Sequence, residues 1–550
     1  MTTADPGVAG APPPKRGISD RQTLVFAALF AIMLVAVVTR FYRLGEPDRC
    51  YFDEVYFPTT AVEILKGDDD AWQFFGHENT HPPLSKELMA LGMALPFVGG
   101  HGNSGDRDNS CWPDAEDDFK RTNPGYLYDP VGWRFFGALA GVGAVFFMYL
   151  LAKRLFENEV AALASAALLA FDGLALAQAR IGTPDTYVLF FTLGSLYFLT
   201  SNRFLLSGLF FGAAAATKWI GAFTMWPIVL YLVIRLIKGI LETEPDERMK
   251  EVERVLKVGA ALMACAVVLG VIGGFLGAVG ILGGFVDIAF LMAFAAVPGL
   301  IVLLCGLAVV AVDSRFRSTP RGSLYLQTAL AFPLFFIIVP FIVYSATYIP
   351  MLMSGYSVGD AIDLNRSAYE FHSGLTAPHS YASDWWEWPI MKKPIYFFAG
   401  SGEAKIYGMG NPAVFWLAIP ALLFVAWQSF RLRARLVGET GRVAFRGAVA
   451  FSQWPLFFVV LSFLGVWLPW STQPRVLFIY HYLPALTFAI LALGYCISRL
   501  WYADREWGRW TAVSVLALVA ITFAYFFPHL TAIDVPRALD ESYFWFKSWR

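Results

Sequence analysis

Apolar runs of about 20 residues recur along this chain of 550 residues, and a run of that length is what a helix needs to cross a bilayer. Candidate spans begin near residues 23, 131, 159, 183, 205, 219, 256, 284, 323, 412, 447, 475 and 510, thirteen in all. Charged residues make up only 15%, against roughly 25% in a soluble domain. A transmembrane barrel would instead show strands of about 10 residues with alternating polarity. The fold class expected is therefore an all-α polytopic membrane protein. A net charge of −1 gives no reason to expect a nucleic-acid partner; the partner it must have is the lipid bilayer.

Charge orients the spans. Lys15, Arg16 and Arg21 place the N-terminus in the cytoplasm, because short cytoplasmic loops carry the excess of Lys and Arg. Alternation then puts Lys153-Arg154, Arg203, Arg235/Lys238, Arg315/Arg317/Arg321, Arg431/Arg433/Arg435 and Arg499/Arg505 inside as well. The expected organisation is a disordered tail at 1–22, a membrane module at 23–255 with a long outer loop at 44–129, and two additional helices at 256–311. A second membrane module follows at 323–528 with an outer loop at 348–411, then an outer tail at 529–550. The first span lacks a small-residue cleavage site and reads as an anchor. The Gly-rich stretch 270–284 either separates two helices or forms a small-residue packing face.

Ionisable groups collect at the outer boundaries of these spans. The first span is followed by Tyr51-Phe52-Asp53-Glu54-Val55-Tyr56-Phe57, two adjacent carboxylates among aromatics. Next comes His77-Glu78-Asn79-Thr80-His81-Pro82-Pro83-Leu84-Ser85-Lys86. Arg134, Arg180 with Asp185, Lys218, and Arg475 with His481 lie at later outer boundaries. Any one of them could be a snorkelling side chain or, for Asp53-Glu54, a helix cap. Their placement on one side describes a cavity with carboxylate bases and several cations, the latter suited to a phosphate. His77 to His81 also spells a zinc-protease string. That chemistry needs both histidines on one helix face, and two prolines after His81 stop a helix there, so no metal is expected.

Cys265, Cys305 and Cys496 fall within apolar runs, whereas Cys50 and Cys111 share the first outer loop. An oxidising compartment would allow those two to bridge and brace the carboxylates. In the loop after Glu370, His372, His379, Trp385, Trp386 and Trp388 either cover an acceptor or form an interfacial aromatic belt. The belt is the expected role of the tryptophans, with His379 left open. The terminal Tyr543 to Arg550 reads as interfacial too.

Taken in order, these segments resemble the protein O-mannosyltransferases that use a polyprenyl-phosphate mannose donor. The likeness rests on Phe52 to Phe57, His81-Pro82-Pro83-Leu84-Ser85-Lys86, Gly132-Trp133-Arg134, Arg180 to Asp185 and Thr217-Lys218-Trp219. It continues through Trp388-Pro389, Lys393 to Phe397, Gly410-Asn411-Pro412 and Arg475 to Pro484. The large insertion that eukaryotic members carry in the later outer loop is absent, so the chain resembles the bacterial branch. The resemblance implies a type-C glycosyltransferase fold, no cofactor, and inverting transfer of mannose to a Ser or Thr hydroxyl of a secreted polypeptide at the outer face of the plasma membrane. It implies Asp53 as general base and Arg134 as a ligand of the lipid phosphate. Glu54, about 100° from Asp53 on a helix, would orient acceptor or sugar. Arg475 and Lys218 would stabilise the leaving phosphate, His481 would also bind the donor, Arg180 and Asp185 would touch the donor or pair with each other, and His81, Lys86 and His379 would support the acceptor or its loop. Two alternatives keep the same sequence features: a related transferase acting on a lipid or polysaccharide, and a lipid-linked sugar transporter. A transporter would spread charge through the membrane midplane, whereas here it gathers at one face.

Overall fold

The computed structural model describes residues 20–74, 79–95, 98, 129–242, 250–259, 261–262, 306–376, 378–400, 402–440, 453–473 and 475–550. Eight helices among them are long and apolar enough to cross a membrane. A ninth span is formed if Glu159–Ala170 and Gly173–Ala179, bent by 59° at their junction, count as one. Two further helices that correspond to expected spans are shorter, Asp185–Thr200 with 16 residues and Phe204–Thr217 with 14. Most of the two-helix segment at 256–311, the Gly-rich stretch, His77, Glu78 and Cys111 lie outside the described residues.

Local chemistry sets the boundaries. The Pro130–Phe156 helix starts where Asp129 Oδ1 accepts from Val131 N at 2.8 Å and Pro130 supplies a preset first turn, the arrangement favoured at helix N-termini. It passes close to its neighbours because Gly141 has no side chain: a Cβ there would sit 2.7 Å from Ala179 Cβ and 3.1 Å from Arg40 Nε. The bend between Glu159–Ala170 and Gly173–Ala179 is fixed by Asp172. One of its oxygens accepts from Ala175 N at 2.8 Å and the other from Asn411 N at 3.0 Å. Asn411 in turn donates its amide to Phe171 O and Val519 O, both at 2.9 Å. The Gly410-Asn411-Pro412 segment thus stitches the N-terminal module to the Glu506–Leu530 helix.

The loop at 348–411 is built structure. It contains a helix at Val358–Gly374 and an antiparallel hairpin of β1 (Ile395–Ala399) and β2 (Lys405–Gly408), with Tyr396 opposite Tyr407. This hairpin is the one β element among the described residues, an addition to the all-α expectation. Ile395 and Phe397 face inward and Phe397 meets Phe52 at 4.8 Å, so the hairpin backs the turn that carries Asp53. The C-terminal segment folds onto the hairpin. Ala532 N donates to Lys405 O at 3.1 Å, Tyr407 Oη to Trp549 O at 2.9 Å, and Trp549 Nε1 to Met391 O at 2.9 Å. The expectation of a simple interfacial tail is therefore corrected: Tyr543 and Trp549 are buried, while Trp545 and Phe546 stay exposed. Trp388 is buried as well, stacked near His481, so it is core rather than belt; Trp386 is exposed as a belt residue should be.

Candidate active site

The chain leaves its first helix, Asp20–Phe41, and makes a short 3-10 turn at Phe52–Val55. Phe52 enters it with φ of 53°, a value uncommon for a residue with a side chain. The two carboxylates of this turn diverge. Glu54 is fully buried. Its Oε1 accepts from Arg134 Nε at 2.8 Å, Trp133 Nε1 at 3.0 Å and Gly182 N at 2.7 Å. Its Oε2 accepts from Arg134 Nη2 at 2.7 Å and Tyr51 N at 3.4 Å. Gly182 reaches in because it lacks a Cβ, which would lie 2.7 Å from Trp133 Cδ1. Asp53, by contrast, is half-buried on the other side of the turn. With Asp185 it is one of the two carboxylates acting on the Tyr480 phenol.

Arg134 completes the Glu54 network. Besides Glu54, its Nη1 donates to Leu44 O at 3.1 Å and Pro47 O at 3.0 Å, and its Nη2 to Arg49 O at 2.8 Å. An arginine has five N–H donors, and all are occupied inside the protein. Arg134 therefore locks the chain after the first helix to the start of the Pro130–Phe156 helix. That differs from the expected phosphate ligand, and the reason is that no donor remains to face a headgroup.

Arg180 has a similar task. It donates to the carbonyls of Thr39, Arg40, Tyr42 and Arg43 at 2.6 to 3.2 Å, satisfying the open C-terminal end of the first helix. The expected Arg180–Asp185 pair is not formed. Asp185 instead accepts from Lys218 Nζ at 3.0 and 3.1 Å, and the same ammonium lies 5.2 Å from the centre of the Tyr480 ring.

A second hydrogen-bonded chain joins three distant segments. Arg475 Nη1 donates to His372 Nδ1 at 2.8 Å. His372 Nε2 lies 2.8 Å from Thr80 O and 3.2 Å from His81 Nδ1. Lys86, fully buried, holds this loop by donating to Asn79 Oδ1 at 2.9 Å and His81 O at 3.2 Å. His81 precedes the Leu84–Ala94 helix rather than lying on it, as the two prolines require. Burial, together with the nearby cation of Arg475, pushes the His372 imidazole down to about 4. Burial also holds His81 well below the ordinary histidine range, aided by Lys218, His372, Lys86 and Arg475. Both rings are therefore neutral at pH 7. His481 belongs to the packing: its Nδ1 accepts from Phe478 N at 3.1 Å and its ring meets Trp470 at 4.7 Å. His379 is exposed, and its Nδ1 accepts from Tyr381 N at 3.1 Å.

Residues 30–276 match the family described as dolichyl-phosphate-mannose-protein mannosyltransferase, and residues 357–549 match the C-terminal four-transmembrane region of protein O-mannosyltransferases. The chain belongs to the protein O-mannosyltransferase family. It is similar over 94% of its length to 91% of a polyprenol-phosphate-mannose–protein mannosyltransferase of Mycobacterium tuberculosis, at 24% identity. The corresponding protein of Corynebacterium glutamicum is 22% identical over 98% of this chain and 95% of its own. Among solved structures, the Saccharomyces cerevisiae protein O-mannosyltransferase complex bound to the sugar donor superposes with a TM-score of 0.65. It covers 97% of this chain and 93% of that one at 15% identity, so the likeness is one of fold.

Within this mannosyltransferase, the sequence-expected residues separate into two shells. Asp53, Asp185, Lys218 and Arg475 act on the Tyr480 ring, and Lys218 and Arg475 also act on the His81 imidazole. Glu54, Arg134, Arg180, Lys86 and His481 lie behind them as buried supports. His379 is outside both. Glu54 as a contact to acceptor or sugar is thereby corrected, because its oxygens are already bonded within the protein. His372 was the residue that sequence reasoning left among loop aromatics. Its signal was its phase on the Val358–Gly374 helix, four residues beyond the buried Ala368, which a helical wheel places on the inward face.

Proposed function

We propose that this protein transfers mannose from polyprenyl-phosphate mannose to Ser or Thr hydroxyls of secreted or membrane polypeptides, with inversion at the sugar carbon, at the outer face of the plasma membrane. The donor and the protein acceptor are those in the names of the mycobacterial and corynebacterial relatives. The observation that carries the reading is the division of the Asp53-Glu54 pair. Glu54 is bonded to Arg134, Trp133 and Gly182, while Asp53 is half-buried and, like Asp185, acts electrostatically on the Tyr480 phenol.

In this mechanism Asp53 accepts the proton of the acceptor hydroxyl as its oxygen attacks the anomeric carbon. A hydroxyl is a weak nucleophile at neutral pH, and a carboxylate within hydrogen-bond reach supplies the base. The bond from that carbon to the phosphate oxygen breaks on the opposite side, which inverts the configuration. The departing polyprenyl phosphate gains negative charge, and Arg475 with Lys218 stabilises it. Arg475 suits the task because, among the described residues, two of its five N–H donors are bonded inside the protein. Basic loops at the other end of the bundle support a cytoplasmic side there.

The test is transfer by the purified protein from polyprenyl-phosphate mannose to a Ser/Thr-rich peptide, compared with the same peptide carrying Ala at those positions. Mannose should appear only on the hydroxyl peptide, with an anomeric configuration by NMR opposite to that of the donor. Retained configuration, or transfer to lipid and not to peptide, would refute the reading.

A further inference from the structure

We propose that His372 is a positioning residue, whose imidazole aims the Arg475 guanidinium at the phosphate of the lipid-linked donor. The inference rests on the donor-phosphate reading of Arg475 above. Arg475 has only N–H groups to offer, so His372 Nδ1 accepts at 2.8 Å. The ring proton then sits on Nε2, which donates to Thr80 O at 2.8 Å. This tautomer anchors one nitrogen to the His81 loop and presents the other to the cation. Among the described residues, Arg475 has two bonds inside the protein, to His372 and, from Nε, to Val476 O at 3.4 Å. Three of its N–H donors thus remain for a ligand, whereas Arg134 keeps none.

The imidazole is itself held from every side. Ala361, Leu364 and Ala368 are the buried residues of the Val358–Gly374 helix, and His372 continues their stripe. The helix is pinned by Asn365, whose Oδ1 accepts from Tyr344 Oη and, at 3.1 Å, from Tyr348 Oη. Trp219 meets the His372 ring edge-on at 6.1 Å and itself donates to Tyr344 Oη at 3.0 Å. His81 stacks on the other side at 4.8 Å. The Arg475 segment is tied to the same loop by Val476 N to Leu375 O at 3.1 Å and Ser383 N to Leu477 O at 2.9 Å. Two segments about 100 positions apart in sequence are thereby held in one register, with the imidazole as the link. Such a link fixes where the phosphate binds and takes no part in the proton transfer.

The experiment compares His372→Ala, His372→Asn and His372→Gln in the full-length protein, measuring KM for polyprenyl-phosphate mannose, KM for the peptide and kcat. An Asn side chain places an acceptor near the position of Nδ1, whereas Gln reaches the position of Nε2. The Ala and Gln variants should raise the donor KM about tenfold or more, the scale of a hydrogen bond to a charged group, with peptide KM unchanged. The Asn variant should stay near wild type. Equal behaviour of Asn and Gln, or a loss shared by donor and peptide KM, would overturn the inference. Arg475→Gln in the same assay separates the two readings. A raised donor KM there with an unaffected His372→Ala defeats only the positioning role, and an unchanged donor KM defeats the donor-phosphate reading with it.

Discussion

Two ion pairs at opposite ends of the bundle use the same residue types in opposite ways. At the Asp53 end, Glu54 and Arg134 form an ion pair with both side chains fully buried. At the other end, Lys153 pairs with Glu159 at 2.8 Å while the lysine side chain is 49% exposed. In water, that second pair gains about 1 kcal/mol or less. The first has given up its hydration and is held only because every donor and acceptor finds a partner. The contrast is one between these two pairs, since Arg321 and Glu253 also pair with little exposure on the side of the basic loops.

Breaking the Glu54–Arg134 pair should have the largest effect on stability. Glu54→Ala leaves Arg134 buried without its counter-ion, and we expect a loss of about 3–5 kcal/mol. Thermal unfolding in detergent reads it, and a stable Glu54→Ala protein would equate the two ends. Arg180→Ala comes next. It exposes several carbonyls at the end of the first helix, and a loss of about 1–3 kcal/mol is expected, with hydrogen exchange rising over residues 36–43. Lys153→Ala should change stability by about 1 kcal/mol or less; a larger loss would remove the distinction between the ends.

A pH series sharpens the comparison from another side. His372 binds its proton only near about 4 in the folded protein, against about 6.5 in an unfolded chain. The unfolded state therefore takes up more protons between those values, and this residue makes stability fall as pH drops from about 6.5 towards 4. Wild type should lose more stability across that window than His372→Asn, measured by the difference in Tm at each pH. Equal losses would show that the imidazole is not buried as a neutral group.

Much of the fold was legible because bilayer length and apolar runs leave few choices. The Asp20–Phe41, Pro130–Phe156 and Glu506–Leu530 helices start within about four residues of the positions read from sequence. The Ile395–Gly408 hairpin was not legible, since its strands are short and aromatic like the interfacial segments around them. The same holds for the Trp549 strap. At the site, the adjacency of Asp53 and Glu54 marked the location but not the roles. Which carboxylate is buried depends on Arg134, 80 positions away, and nothing local encodes that. His372 was missed for a similar reason, since its partner Arg475 is 103 positions away. Arg134 and Arg475 look alike in sequence, and their counts of bonded donors among the described residues set them apart.

The central claim is that Asp53 performs the chemistry while Glu54 holds the turn. The most direct measurement is mannose transfer and Tm in parallel for Asp53→Asn. The account predicts a rate reduced by about 10²–10⁴-fold, the usual contribution of a general base, in a protein that remains folded at the assay temperature. A variant that keeps its transfer rate, or that loses transfer only because it unfolds, would contradict it.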